Sequence, residues 1–231
     1  MTRTGVDADA CAHAHRALRE RVTALARDAG TEALVAVAPA TPEWRVRDVL
    51  AHLAGVNTDI LTGTLDGVAS DAWTATQVEA RRDRPVGELL DEWATSAREV
   101  EANAALLGSA AGQWLTDACT HEHDVRQALG QPGARDADAV LLAFDWCGDR
   151  LGDLLDQRER PGLTFDVPGG AKRVGSTSPH TGVHASEFEL LRAMVGRRSR
   201  AQVEALAWDG PPRADHLVLG IFTLRPDDLV E

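Results

Sequence analysis

Apolar residues recur at spacings of three and four through the first two-thirds of the chain, broken by short stretches that carry glycine or proline. That period matches the 3.6-residue turn of an α-helix, so this part of the chain must lay several amphipathic helices side by side. From about Ala8 to Ala29, Leu18, Val22 and Leu25 share one face. A second helix is predicted to begin at Thr41-Pro42-Glu43-Trp44. Thr41 can cap it, Pro42 fits the first helical position, and Glu43 suits the positive helix end. It runs through Val46, Val49, Leu50 and Leu53, and Gly55 either ends it or weakens it. Residues 72–83 and 86–107 read as further helix interrupted at Pro85, the second piece with a stripe of Leu89, Leu90, Trp93, Ala97 and Val100. Helices from about Gly112 to Leu129, stopped by Gly130 and Pro132, and from about Asp136 to Gln157 follow. Short connections make neighbouring helices antiparallel, which is a bundle.

The pattern changes at Arg160-Pro161-Gly162. Leu163 to Val167 alternates like a strand, and Pro168-Gly169-Gly170 is a turn. A helix is expected from about Ala185 to Val195, another after Ser199, and a buried strand over His216–Phe222. The segment holding His180 and His184 reads as loop, because Gly182 lies between them. The expectation is an α+β chain: a helical bundle over 1–160, then a small α+β domain over 161–231.

Charge and cysteine usage narrow the partners. A formal net charge of -12 repels phosphate backbones and anionic lipid, so neither nucleic acid nor membrane is an expected partner. Hydrophobic residues make up 44% of the chain, enough for a real core. No apolar run approaches the length of a membrane span, and Arg3 is followed by no apolar core of the kind a signal peptide carries. Cys11, Cys119 and Cys147 are widely spaced and odd in number, which fits a reducing cytoplasm better than a disulfide framework. Lys172 is the only lysine among 24 basic residues, a bias typical of a high-GC, actinobacterial type of genome.

The stretch Asp117-Ala118-Cys119-Thr120-His121-Glu122-His123-Asp124 carries the chemistry. On a helix Asp117 and His121 sit one turn apart on the same face, and Asp124 lies there too. A carboxylate and an imidazole at this spacing can present two metal ligands, and Asp124 can orient His121 through its other ring nitrogen. Such a pair also serves commonly as a solvated hydrogen-bonded pair. His52 stands beside the apolar face of Val49, Leu53 and Val56. If the two helices face each other, His52, Asp117 and His121 supply N, O and N ligands and leave coordination positions open, as catalytic zinc sites do. Its structural alternative is a core-edge histidine bonded to a carbonyl.

Trp44 through Gly55, with the His52 block at its centre, resembles the first conserved block of the DinB-like proteins related to mycothiol-dependent maleylpyruvate isomerase. Asp117 through Gly130 is similar to the second. Gln77 to Arg82 leading into Trp93 also fits, and Gly196 to Val203 followed by Trp208-Asp209-Gly210 resembles the C-terminal domain of these proteins. The resemblance implies a DinB-like four-helix bundle that binds a divalent metal, zinc, through two histidines and an acid. It also implies a sterol-carrier-like α+β domain and mycothiol as cosubstrate. His52 and His121 match the family's metal histidines; Asp117 stands where the isomerase has glutamate, one methylene longer. The thiolate of the cosubstrate could then conjugate a small electrophile, or add and leave again to isomerise it. Arg81 is a candidate to hold a substrate carboxylate or the cofactor, and Arg126 to bind the cofactor, against surface pairing for Arg81 and pairing with Glu122 for Arg126. Cys119 points away from Asp117 and reads as core. The catalytic groups beyond the metal are not assigned, and either monomer or homodimer is compatible. The rival readings are a non-catalytic, metal-binding or stress-related protein on the same bundle, and a regulatory protein with an exposed apolar patch.

Overall fold

The computed structural model describes residues 5–231, so Arg3 lies outside the described residues. They form two compact units, Asp7–Gly133 and Ala134–Val230.

The first unit begins with α1 (Ala8–Asp28), capped by Asp7, whose carboxylate accepts from the Ala10 amide at 2.8 Å. A short α2 (Thr31–Val35) leads to β1 (Val37–Ala38), which pairs antiparallel with β2 (Thr41–Arg45). The helix expected from Thr41 therefore starts later, as α3 (Val46–Thr62). Pairing with β1 holds Thr41–Arg45 extended, and Asp48 does the capping: its Oδ2 accepts from the Arg45 amide at 2.9 Å. α3 continues past Gly55 and ends at Gly63 in the left-handed region. α4 (Asp71–Glu79) is capped by Ser70 and is shorter than expected. α5 (Val86–Ala102) gives way to a 3-10 turn over Ala104–Ala110 where a longer helix was expected, and α6 (Ala111–Ala128) follows.

Helices α1, α3, α5 and α6 pack as the four-helix bundle. Leu18, Val22, Leu50, Leu53, Leu89, Trp93 and Leu115 fill its core, the apolar positions that the helical period picks out. Each such leucine contributes roughly 1.5–3 kcal/mol by leaving water. This packing fixes the backbones of α3 and α6, which carry the histidine blocks.

In the second unit α7 (Asp138–Gln157), assigned above to the bundle segment, packs on α8 (Glu187–Met194) and on a four-stranded sheet. The sheet holds β3 (Leu163–Val167), β4 (Gly170–Val174), β5 (Thr181–His184) and β6 (Ala207–Trp208) in the order β4-β3-β5-β6. β3 and β5 run parallel and the other pairs antiparallel. Ser199 and Gln202 form a capping box on α9 (Arg200–Glu204). Two expectations are corrected. The segment around Gly182 is β5, a strand rather than a loop. His216–Phe222 forms no strand: a 3-10 turn covers Ala214–His216, and Leu217 and Leu219 are buried while Ile221 is exposed. Among the described residues no helix is long and apolar enough to cross a membrane.

Candidate metal centre

Helical spacing puts Asp117 and His121 one turn apart on α6, and bundle packing brings α3 against them. His52 Nε2 lies 3.4 Å from the Asp117 carboxylate, and His121 Nε2 lies 3.7 Å from it. One donor atom from each of the three residues falls within 4.8 Å of the others. These separations are long for hydrogen bonds. Donors about 2.1 Å from a tetrahedral zinc stand about 3.4 Å apart, so the spacing suits three ligands around one ion.

The far sides of both rings are engaged. His121 Nδ1 is 3.0 Å from Asp124 Oδ2, and Asp124 is fully buried. His52 Nδ1 is 2.7 Å from Gln77 Oε1, and Gln77 Nε2 donates to Asp59 Oδ2 at 2.7 Å. Such partners fix ring orientation and leave the inner nitrogens facing Asp117. Burial of the His52 ring works against its charged form. The Asp117 charge, the long contact to its carboxylate and the hydrogen bond to Gln77 outweigh it, so the His52 pKa lies above its ordinary value.

Aromatic rings wall the site. Trp44 on β2 sits 5.1 Å from His52 and 5.7 Å from His121 between ring centroids, and Trp73 meets His52 edge-on at 6.5 Å. Both histidines are buried, while the Asp117 side chain is 34% exposed and marks the open side.

The other expected residues lie elsewhere in contact terms. Arg81 is buried and gives its guanidinium to Glu92 and to the Gln77 carbonyl. Arg126 bonds Glu122, which also takes a two-pronged contact from Arg21. Cys11, Cys119 and Cys147 are buried and free of disulfides. Burial and nearby Asp7 push the Cys11 thiol up to about 11. Two further histidines have carboxylate companions: His15 bonds Glu101, and His184 sits between Asp166 and Asp209 at 2.8 and 2.9 Å. Sequence reasoning missed Gln77 as the partner of His52 and Asp59 as the partner of Gln77; no local signal joins His52 to a position 25 residues away.

Residues 15–128 match the family model of the mycothiol maleylpyruvate isomerase N-terminal domain. Two crystal structures resemble the chain: a histidine-to-alanine mutant of the mycothiol-dependent maleylpyruvate isomerase, with a TM-score of 0.59, and the mycothiol-dependent maleylpyruvate isomerase itself, with 0.57. Each is 11% identical and covers 90% of this chain and 97% of its own, a likeness of fold. No curated protein is similar in sequence.

Proposed function

Residues 15–128 belong to the mycothiol maleylpyruvate isomerase N-terminal domain family, and from that premise we propose that this protein is a metal-dependent enzyme that uses a low-molecular-weight thiol, mycothiol, on a small electrophilic substrate. The observation that carries the proposal is the convergence of His52, Asp117 and His121 within 4.8 Å, with the outer ring nitrogens already bonded. A zinc-type ion there supplies a thiolate at neutral pH by lowering the pKa of a bound thiol.

The chain's own residues account for the rest. His52 and His121 give neutral nitrogen donors and Asp117 a charged oxygen, which leaves part of the coordination sphere to an incoming ligand. Asp117 is one methylene shorter than glutamate, and its place on α6 one turn before His121 lets it reach the gap. Trp44 and Trp73 keep water from the buried side of the histidines. The thiol must come from outside, because the protein's cysteines are buried and the Cys11 thiol stays protonated at neutral pH. Attack forms a carbon–sulfur bond while the substrate's π pair moves to its electron-withdrawing group. Protonation of the resulting carbanion, or departure of a leaving group such as chloride, completes transfer; rotation and expulsion of the thiolate re-form the double bond and give cis–trans isomerisation. Cysteines outside any disulfide and the family's thiol cosubstrate suit a cytoplasmic setting.

The test is to load the purified protein with zinc, add mycothiol, and follow both maleylpyruvate isomerisation and conjugation of 1-chloro-2,4-dinitrobenzene. Acceleration of either that needs mycothiol and disappears in His121→Ala supports the proposal. Zinc-loaded protein that accelerates neither reaction contradicts it.

A further inference from the structure

A histidine binds metal through only one of its two nitrogens, and which one is free depends on where its proton sits. At His52 that choice passes through two other side chains. Gln77 faces His52 Nδ1 with one end of its amide and Asp59 with the other, both at 2.7 Å. An amide has one accepting and one donating end, and a carboxylate only accepts. Asp59 therefore draws the NH2 of Gln77 to itself. The opposite orientation would set an amide oxygen against a carboxylate oxygen at hydrogen-bond distance. With the NH2 committed to Asp59, Gln77 Oε1 faces His52, and His52 Nδ1 must carry the hydrogen. The lone pair of the neutral ring is then on Nε2, the atom that faces Asp117.

The backbone is shaped for this contact. Gly55 is buried on α3 one turn after His52, where α4 crosses. A Cβ at Gly55 would lie 2.6 Å from Gln77 Cβ and 2.8 Å from its Cγ, so any side chain there would push Gln77 away from the imidazole. Asp59 lies two turns after His52 on the same helix face. One helix thus carries both the ligand and the group that sets its tautomer, with Gln77 bridging from α4.

We propose that Gln77 is a positioning residue held in one amide orientation by Asp59, and that this pair reserves His52 Nε2 as the metal-binding nitrogen. The inference rests on the reading of His52 as a ligand. It differs from the His121 side, where Asp124 meets the ring directly.

The experiment separates the two. Nitrogen-15 NMR of the metal-free protein, at alkaline pH where His52 is neutral, reads the tautomer without any metal. The wild type should show hydrogen on Nδ1, and Gln77→Leu should shift His52 toward hydrogen on Nε2 and weaken zinc about 10- to 100-fold. The double variant Gln77→Glu with Asp59→Asn reverses donor and acceptor along the same path. The amide placed at position 59 donates its NH2 to the carboxylate placed at position 77, and that carboxylate accepts from His52 Nδ1. This variant should keep the wild-type tautomer and zinc affinity, which guards against mere misfolding of the single variant. Hydrogen on Nε2 in the wild type, or wild-type zinc affinity in Gln77→Leu, overturns the assignment. A wild type with the expected tautomer and no zinc binding would instead overturn the metal reading and leave the Gln77 tautomer assignment standing.

Discussion

The bundle holds two clusters that each set histidine beside a carboxylate, and the two answer that carboxylate's charge in different ways. In one, the Glu101 side chain is fully buried and takes two hydrogen bonds from Arg19 at 3.0 Å, one from His15 at 2.9 Å and one from Arg16 at 3.3 Å. His15 stacks on Trp114 at 4.0 Å. In the other, Asp117 is partly exposed and faces two imidazole nitrogens at 3.4 and 3.7 Å. Arginine closes the first cluster with normal hydrogen bonds, whereas the second keeps a gap of metal-ligand size. The titration directions follow. Burial outweighs Glu101 at His15 and lowers its pKa, while Asp117 outweighs burial at His52 and raises its pKa. A histidine beside a carboxylate is therefore no sign of a metal site by itself; what counts is how the carboxylate's charge is answered and where the second ring nitrogen goes.

The comparison breaks most visibly if Glu101 is removed. Glu101→Ala leaves Arg19 buried without its partner and should cost about 3–5 kcal/mol in chemical unfolding. Zinc binding should persist in whatever fraction stays folded. A loss below about 1 kcal/mol would mean that the first cluster is not structural.

Acid should separate the clusters next. Burial alone would raise the Glu101 pKa, but the hydrogen bonds from His15 and Arg19 and their charges hold it at about 2. A depressed carboxylate contributes stability that is full above its unfolded pKa, near the ordinary value of 4.5, and is lost as pH falls toward about 2. His15, also depressed, acts in the same direction: its contribution is full above the ordinary histidine value and is lost as pH falls through its folded pKa. Unfolding curves should therefore lose about 2 kcal/mol from Glu101 across that window, allowing for solvent around half-exposed Arg16. Glu101→Gln should flatten this dependence, and a slope equal to that of the wild type would remove Glu101 as its cause.

Smaller effects sharpen the metal side. Asp124→Asn replaces the carboxylate behind His121 with an isosteric amide and should weaken zinc about 10- to 100-fold by calorimetry. Asp117→Glu lengthens this side chain by one methylene and should change affinity by about tenfold or less, because either carboxylate reaches the metal distance. A complete loss in Asp117→Glu would show that the α6 backbone lies too close to the gap for the longer side chain.

The sequence made the helices and one face of the centre readable, for a local reason. The 3.6-residue period places Leu18 with Val22 and Asp117 with His121 before any tertiary contact is known. Thr41–Arg45 misled because a Thr-Pro-Glu start is a good helix signal, and its competitor was a pairing with Val37–Ala38. His216–Phe222 misled because an apolar run has no period that separates a strand from buried turns. The meeting of His52 with α6, and its bond to Gln77, depend on how α3, α4 and α6 pack. Gly55 was visible as a weak point in a helix, but its meaning, room for Gln77, needs the crossing of α4.

The most direct measurement is the metal content of protein purified without a metal-binding tag, wild type beside His52→Ala and His121→Ala. The account predicts near-stoichiometric divalent metal in the wild type, loss in both variants, and unfolding free energies of the metal-free proteins that stay close. Wild-type protein that is metal-free and cannot be reconstituted with zinc would contradict it, and would return His52, Asp117 and His121 to the same structural class as His15 and Glu101.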